Sequence, residues 1–177
     1  MNVAVYCSSR ANLPDEVVDI ARQLGQWLGS HGHTLVYGGV NAGLMHIVAE
    51  ATHRSGGHVT GVITRGFAHR ADSLVNNMVL TDDLNERKSR MIALADAFVV
   101  LPGGIGTIDE WFSTLSQLVV NQDSARGMII VNYNHMYDAA WQQLRDTAAS
   151  PYADDSCLRF VTNVTDAASM LKELENI

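Results

Sequence analysis

The sequence predicts an α/β fold, a Rossmann-like, doubly wound, mostly parallel sheet of about seven strands with helices on both faces. Three observations carry that expectation. Short β-branched runs alternate with amphipathic stretches from one end of the chain to the other. Several runs, such as VAVYC and MIIVN, are apolar without alternation, as strands are when helices cover both of their faces. Three distinctive loops, CSSRAN, YGGVNAG and LPGGIGT, follow the first, second and fifth of these runs. That is the sheet edge where such folds hold ligands.

The strands are expected at 3–7, 34–38, 58–63, 74–80, 97–101, 128–132 and 158–162. Between the first two, Val17, Ile20, Ala21, Leu24 and Leu28 recur at helical spacing, and Pro14 with Asp15 suits a helix start. Residues 43–54, 84–95, 107–120, 137–148 and 166–175 show the same period. Residues 150–155 read as a surface loop before the last strand. With no linker or repeat in view, residues 1–177 are expected to form a single nucleotide-binding domain.

Composition narrows the function. Hydrophobic content of 47% and charged content of 18% describe a globular chain. A net charge of −7 disfavours a nucleic-acid polymer as partner, because binding one requires many neutralised phosphates. It leaves room for one small phosphorylated ligand. Cys7 and Cys157 are far apart and form no CxxC, so reduced thiols and a cytoplasmic setting are expected. The opening MNVAVYC has no basic start or long apolar stretch, so no signal peptide is expected. No run approaches the roughly 20 apolar residues that span a bilayer, and no membrane partner is expected.

Glycines let backbone approach a ligand closely, and a helix start offers free N–H groups with partial positive charge. Any one of the glycine loops could be only a tight turn; two of them together with CSSRAN on one sheet edge point to a phosphate site. None reads GxxxxGK[ST], and neither glycine loop supplies GxGxxG after the first strand, so neither a P-loop nor a conventional NAD site is indicated. Ser8 and Ser9 lack a GxSxG setting and read as turn residues or as donors to a ligand oxygen. His46, Glu50 and His53 share one helix face, yet without HExxH or a cysteine partner they read as a solvated face. No metal and no cofactor are expected.

Taken together, YGGVNAGLM (37–45), ERKSRM (86–91) and LPGGIGTIDE (101–110) resemble the LOG family of cytokinin-activating phosphoribohydrolases, often mislabelled lysine decarboxylases. The resemblance implies cleavage of the N-glycosidic bond of a nucleoside 5′-monophosphate to free base and ribose 5-phosphate, without a cofactor, by a homodimer. It implies Arg87 and Glu110 as catalytic residues. Ser9, Gly38, Gly39, Gly43, Lys88, Gly103, Gly104, Gly106 and Thr107 become the substrate-binding candidates. The family's pattern is broken in places: Val40 stands for a third glycine, His46 for a glycine, Leu84-Asn85 for Met-His and Thr64 for a proline. The first two changes reshape the nucleotide-facing loop.

The residues support the same roles. Thr107 and Glu110 are three apart and share a helix face, so the helix start can hold phosphate while the carboxylate reaches the sugar. Carboxylate suits a developing oxocarbenium ion and can orient water, although a first-turn acid also complements a helix dipole. Arg87 could belong to a solvated charged face, or could grip an oxyanion and keep Glu110 ionised. Lysine decarboxylation would need a Schiff-base lysine, and only Lys88 and Lys172 exist. A non-catalytic nucleotide- or molybdenum-cofactor-binding module is the rival reading, needing the loops but not the Arg87/Glu110 pair. Ile108, Trp111, Phe112, Leu115, Leu118 and Val119 form an apolar face that suits either the sheet or a second subunit.

Overall fold

The computed structural model describes residues 1–153 and 155–177. The apolar runs become strands β1 (Asn2–Tyr6), β2 (Thr34–Tyr37), β3 (His58–Thr64), β4 (Asn77–Thr81), β5 (Ala97–Val100), β6 (Met128–Val131) and β7 (Val161–Val164). They lie in the order β4-β3-β2-β1-β5-β6-β7, and every neighbouring pair is parallel. The helices are α1 (Asp15–Ser30), α2 (Gly43–Arg54), α3 (Leu84–Leu94), α4 (Ile105–Asn121), α5 (Asp138–Ala148) and α6 (Ala167–Leu174).

Because successive strand residues face opposite sides, β1 feeds two cores. Val3 and Val5 join Leu24 and Leu28 of α1, Val48 of α2 and Met170 of α6. Ala4 and Tyr6 join Met91 of α3, Trp111 and Leu118 of α4 and Leu144 of α5. Both faces are therefore covered, which is why the strands lack alternation. On the first face α1 and α2 approach closely: a Cβ on Gly25 would lie 2.6 Å from both the Ala51 Cβ and the Val48 carbonyl oxygen.

Two strands begin three residues later than expected. β4 begins at Asn77 rather than at 74, because the preceding residues turn back on their own side chains and neighbours. Leu74 N–H donates to Asp72, and the Asn76 side chain accepts from Val59 N–H at 2.8 Å. β7 begins at Val161, and Asp155–Phe160 forms a 3-10 turn instead of a strand. The Leu158 and Phe160 side chains pack on the α4/α5 core, so this apolar run buries itself through helix packing rather than a ladder. Among the described residues, no helix is long and apolar enough to cross a membrane.

Strand order places the site. From β1 the chain works outward through β2, β3 and β4, then returns to β5 on the other side of β1. The loops leaving β1 and β5 therefore diverge, opening a crevice at their carboxyl ends.

Candidate active site

The two loops at that crevice are laced together: Leu101 N–H donates to Tyr6 O at 2.9 Å and Ser8 N–H to Pro102 O at 3.2 Å. Beyond this seam Ser8, Ser9 and Arg10 form one wall of a cleft of about 350 Å³. The start of α2 buttresses that wall, with Leu44 N–H donating to Ser8 O at 2.9 Å. Gly43, at φ +57°, makes this possible, because a Cβ there would lie 2.5 Å from Arg10 O.

The opposite wall is the start of α4. Its N-cap, Gly104, has extended backbone and no side chain capping the helix. Thr107 and Ile108 N–H groups return to Gly104 O at 3.0 and 3.1 Å. The Ile105 and Gly106 N–H groups precede that first turn of bonds, so they have no helical acceptor. Gly104, Ile105, Gly106 and Thr107 all line the cleft. Glycines at 104 and 106 keep this helix end bare: nothing lies within 4 Å of where either Cβ would stand. A helix start with free donors and positive dipole end is suited to an anion.

One turn along α4 stands Glu110, 5% exposed. Its Oε1 accepts from Arg87 Nη1 at 2.6 Å, while Arg87 Nε donates to the Val62 carbonyl at 2.9 Å. The Arg87 side chain is held by α3, whose start is fixed by a reciprocal cap. The Asp83 carboxylate accepts from Asn85 and Glu86 N–H, and the Glu86 carboxylate accepts from Asp82 N–H, each at 2.8 Å. Burial pushes the Glu110 carboxyl above the ordinary glutamate range, while the charge and hydrogen bond of Arg87 pull it back down. The result is a carboxylate that is desolvated yet paired. Below it, Tyr6 OH and Thr114 Oγ1 share a buried hydrogen bond of 2.9 Å. Burial also raises the Cys7 thiol at the cleft wall, which makes it a poor nucleophile.

Of the residues singled out by sequence, Ser9, Arg87, Gly104, Gly106, Thr107 and Glu110 meet in the cleft. The others take supporting places outside its lining. Gly38 lies behind Arg87 and Met45, and Gly39, at φ +70°, packs on Ile63. Gly103 leaves room for the Thr107 side chain and faces an adjoining hollow of about 330 Å³. Lys88 also stands outside the lining. Its Nζ sits 2.9 Å from both oxygens of Asp109 and 3.1 Å from Ser113 Oγ, so its charge is already engaged. Cys7, Arg10 and Met45 line the cleft but were not singled out; the signal available for them was their place in the quoted loops. His46 bonds Asp72 at 2.8 Å and Glu50 pairs with Arg54 at 2.8 Å. Among the described residues, no cluster of three or more histidine, cysteine or acidic groups could hold a metal.

Known proteins resemble this chain as a whole. A family model described as "Possible lysine decarboxylase" matches residues 45–174. The cytokinin riboside 5′-monophosphate phosphoribohydrolase of Mycobacterium tuberculosis is 36% identical over 93% of this chain and 90% of its own. A probable enzyme of the same name from rice, Oryza sativa subsp. japonica, is 33% identical over 98% of this chain and 78% of its own. The solved molybdenum cofactor binding protein of Rippkaea orientalis superposes with a TM-score of 0.78 at 19% identity, covering 99% of this chain and 95% of its own. That last likeness shows the fold alone. The sequence matches go further, and the chain belongs to the LOG family, to which the family model and the phosphoribohydrolase relatives point together.

Proposed function

We propose that the protein hydrolyses the N-glycosidic bond of a nucleoside 5′-monophosphate, releasing free base and ribose 5-phosphate. The observation that carries this reading is the buried Arg87–Glu110 pair one turn from an uncapped helix start in the same cleft. Phosphate sits at the Ile105 and Gly106 N–H groups, with the Thr107 and Ser9 hydroxyls beside it. The ribose C1′ then faces Glu110. As the C1′–N bond breaks, its electron pair leaves with the base, which takes up a proton from solvent, and Glu110 later returns to solvent the proton it receives from the attacking water. A carboxylate stabilises the positive charge left on the sugar. Water forms the new C1′–O bond and gives its proton to Glu110.

The names of the relatives, cytokinin riboside 5′-monophosphate phosphoribohydrolases, support a cytokinin riboside 5′-monophosphate as the substrate. Decarboxylation by a pyridoxal cofactor does not fit these residues. Lys88 is pinned by Asp109 and Ser113, and Lys172 lies exposed on α6. A pure binding module would need the helix start but not the buried ion pair, which costs desolvation and is kept here. We place the enzyme in the cytoplasm as a homodimer. The exposed Val120 and half-buried Phe112 and Val119 on the outer side of α4 support the second subunit.

The test is release of base from AMP and N6-isopentenyl-AMP beside the matching nucleosides. Without a phosphate the binding energy of the helix start is lost, so kcat/KM is expected to fall at least about 100-fold, the value of one to two charge-assisted hydrogen bonds. Equal values for nucleotide and nucleoside would sink this reading.

A further inference from the structure

We infer that Gly38 is a positioning residue for Arg87: its missing side chain is the space in which the guanidinium lies. This rests on the reading of Arg87 and Glu110 as the catalytic pair. A Cβ on Gly38 would collide with Arg87 Nη2 and would stand 2.8 and 2.9 Å from the Met45 Cε and Sδ. Gly38 does not have the left-handed backbone of Gly39 and Gly43, so alanine fits its conformation. The conflict is one of space.

The guanidinium has nowhere convenient to retreat. Its Nε is bonded to the Val62 carbonyl at 2.9 Å and its Nη1 to Glu110 at 2.6 Å. The fork geometry is rigid, so moving Nη2 aside breaks one of those bonds. Met45, by contrast, is a flexible thioether that repacks at small cost. An added methyl group therefore displaces Arg87 while leaving the phosphate-binding start of α4 untouched. Gly38 then serves the reacting end of the cleft by framing its cation, not by touching substrate.

The experiment compares wild type with Gly38→Ala, Gly38→Ala/Met45→Ala and Gly38→Ala/Arg87→Lys. Gly38→Ala is expected to lower kcat roughly 100-fold, the scale for a catalytic group misplaced by an ångström, with KM for the nucleotide within a factor of about three. Its acid limb moves to higher pH, because Glu110 loses its neutralising partner. The Met45→Ala double variant stays as impaired. If removing Met45 restores the rate, the space belongs to Met45 and the inference falls. A position-independent readout comes from the Arg87 Nε–H proton resonance, assigned by its absence in Arg87→Lys. Protected from exchange in wild type, it loses protection in Gly38→Ala. An unchanged resonance overturns the inference whatever the turnover, whereas a wild type that cleaves no nucleotide overturns the proposed function alone. Should Gly38→Ala fail to fold, Arg87→Lys in the same chain removes the clashing nitrogen and restores folding. Failure of that variant also counts against the inference.

Discussion

Glu110 lies between two opposed influences, burial that favours its neutral form and a guanidinium that favours its charged form. The net direction is upward, which fixes the sign of its pH dependence. Turnover that needs the carboxylate is lost as pH falls through this raised value, so the acid limb of kcat/KM is expected above the ordinary glutamate range. For stability the sign is the reverse. The protonated form is favoured in the fold, and that contribution is present at low pH and lost as pH rises through the raised value. A rate profile whose acid limb lies at or below the ordinary value would show that Glu110 is not the group being titrated. Glu110→Gln keeps the size and removes the charge. It is expected to lower kcat by about 10²–10³, as loss of one electrostatic contribution does, with calorimetric affinity for the monophosphate nearly unchanged. Turnover at the wild-type rate would reduce the carboxylate to a helix-dipole residue. Both members of the pair were named from the sequence through the family resemblance, since local pattern alone left Arg87 as a solvated charge and Glu110 as a first-turn acid. The fate of Lys88 was not legible there, because Asp109 and Ser113 reach it from the next helix, a partnership that no local pattern records.

Elements were readable wherever their pattern had one interpretation. The helical spacing of α1 and the continuous apolar runs of β1, β5 and β6 each led to the observed element. The segments before β4 and β7 misled because an apolar stretch of a few residues can satisfy burial in more than one way. Leu158 and Phe160 do so against helices. The α1–α2 contact was invisible for another reason: a glycine inside a helix looks merely weak until its neighbour is known. Replacing Gly25 by alanine should gain about 1 kcal/mol of helix propensity. The new methyl group would meet the Val48 carbonyl oxygen at 2.6 Å, and backbone cannot step aside as a side-chain tip can. Overpacking of about 1–3 kcal/mol is expected to win or at least cancel the gain. Denaturant unfolding that shows Gly25→Ala to be more stable by the full propensity gain would mean the helices part without cost.

At the scale of the molecule, sheet order could not be read from sequence, yet it decides where the site lies. The β1/β5 reversal brings together loops 90 or so residues apart in the chain, and only the long-range pairing of Val3 with Ala97 and its neighbours records it. A homodimer is the expectation at this scale. Light scattering at micromolar concentration should give twice the mass of one 19.3 kDa chain, and Val120→Asp should lower it towards one. A stable wild-type monomer would assign the apolar side of α4 to the chain's own packing. The relation between the start of α4 and Glu110 has a consequence beyond chemistry. The bare donors at Gly106 and the carboxylate at 110 are separated by a rise of about 6 Å, four residues of rigid helix. If phosphate binds at that helix start, as proposed, the helix acts as a gauge for the length of the substrate. With a terminal phosphate seated at its foot, a single sugar ring comes level with the carboxylate. In a nucleoside diphosphate the extra phosphoanhydride link would lift the ring past the mark, so ADP is expected to bind without releasing base; base release from ADP at the rate seen with AMP would refute the gauge.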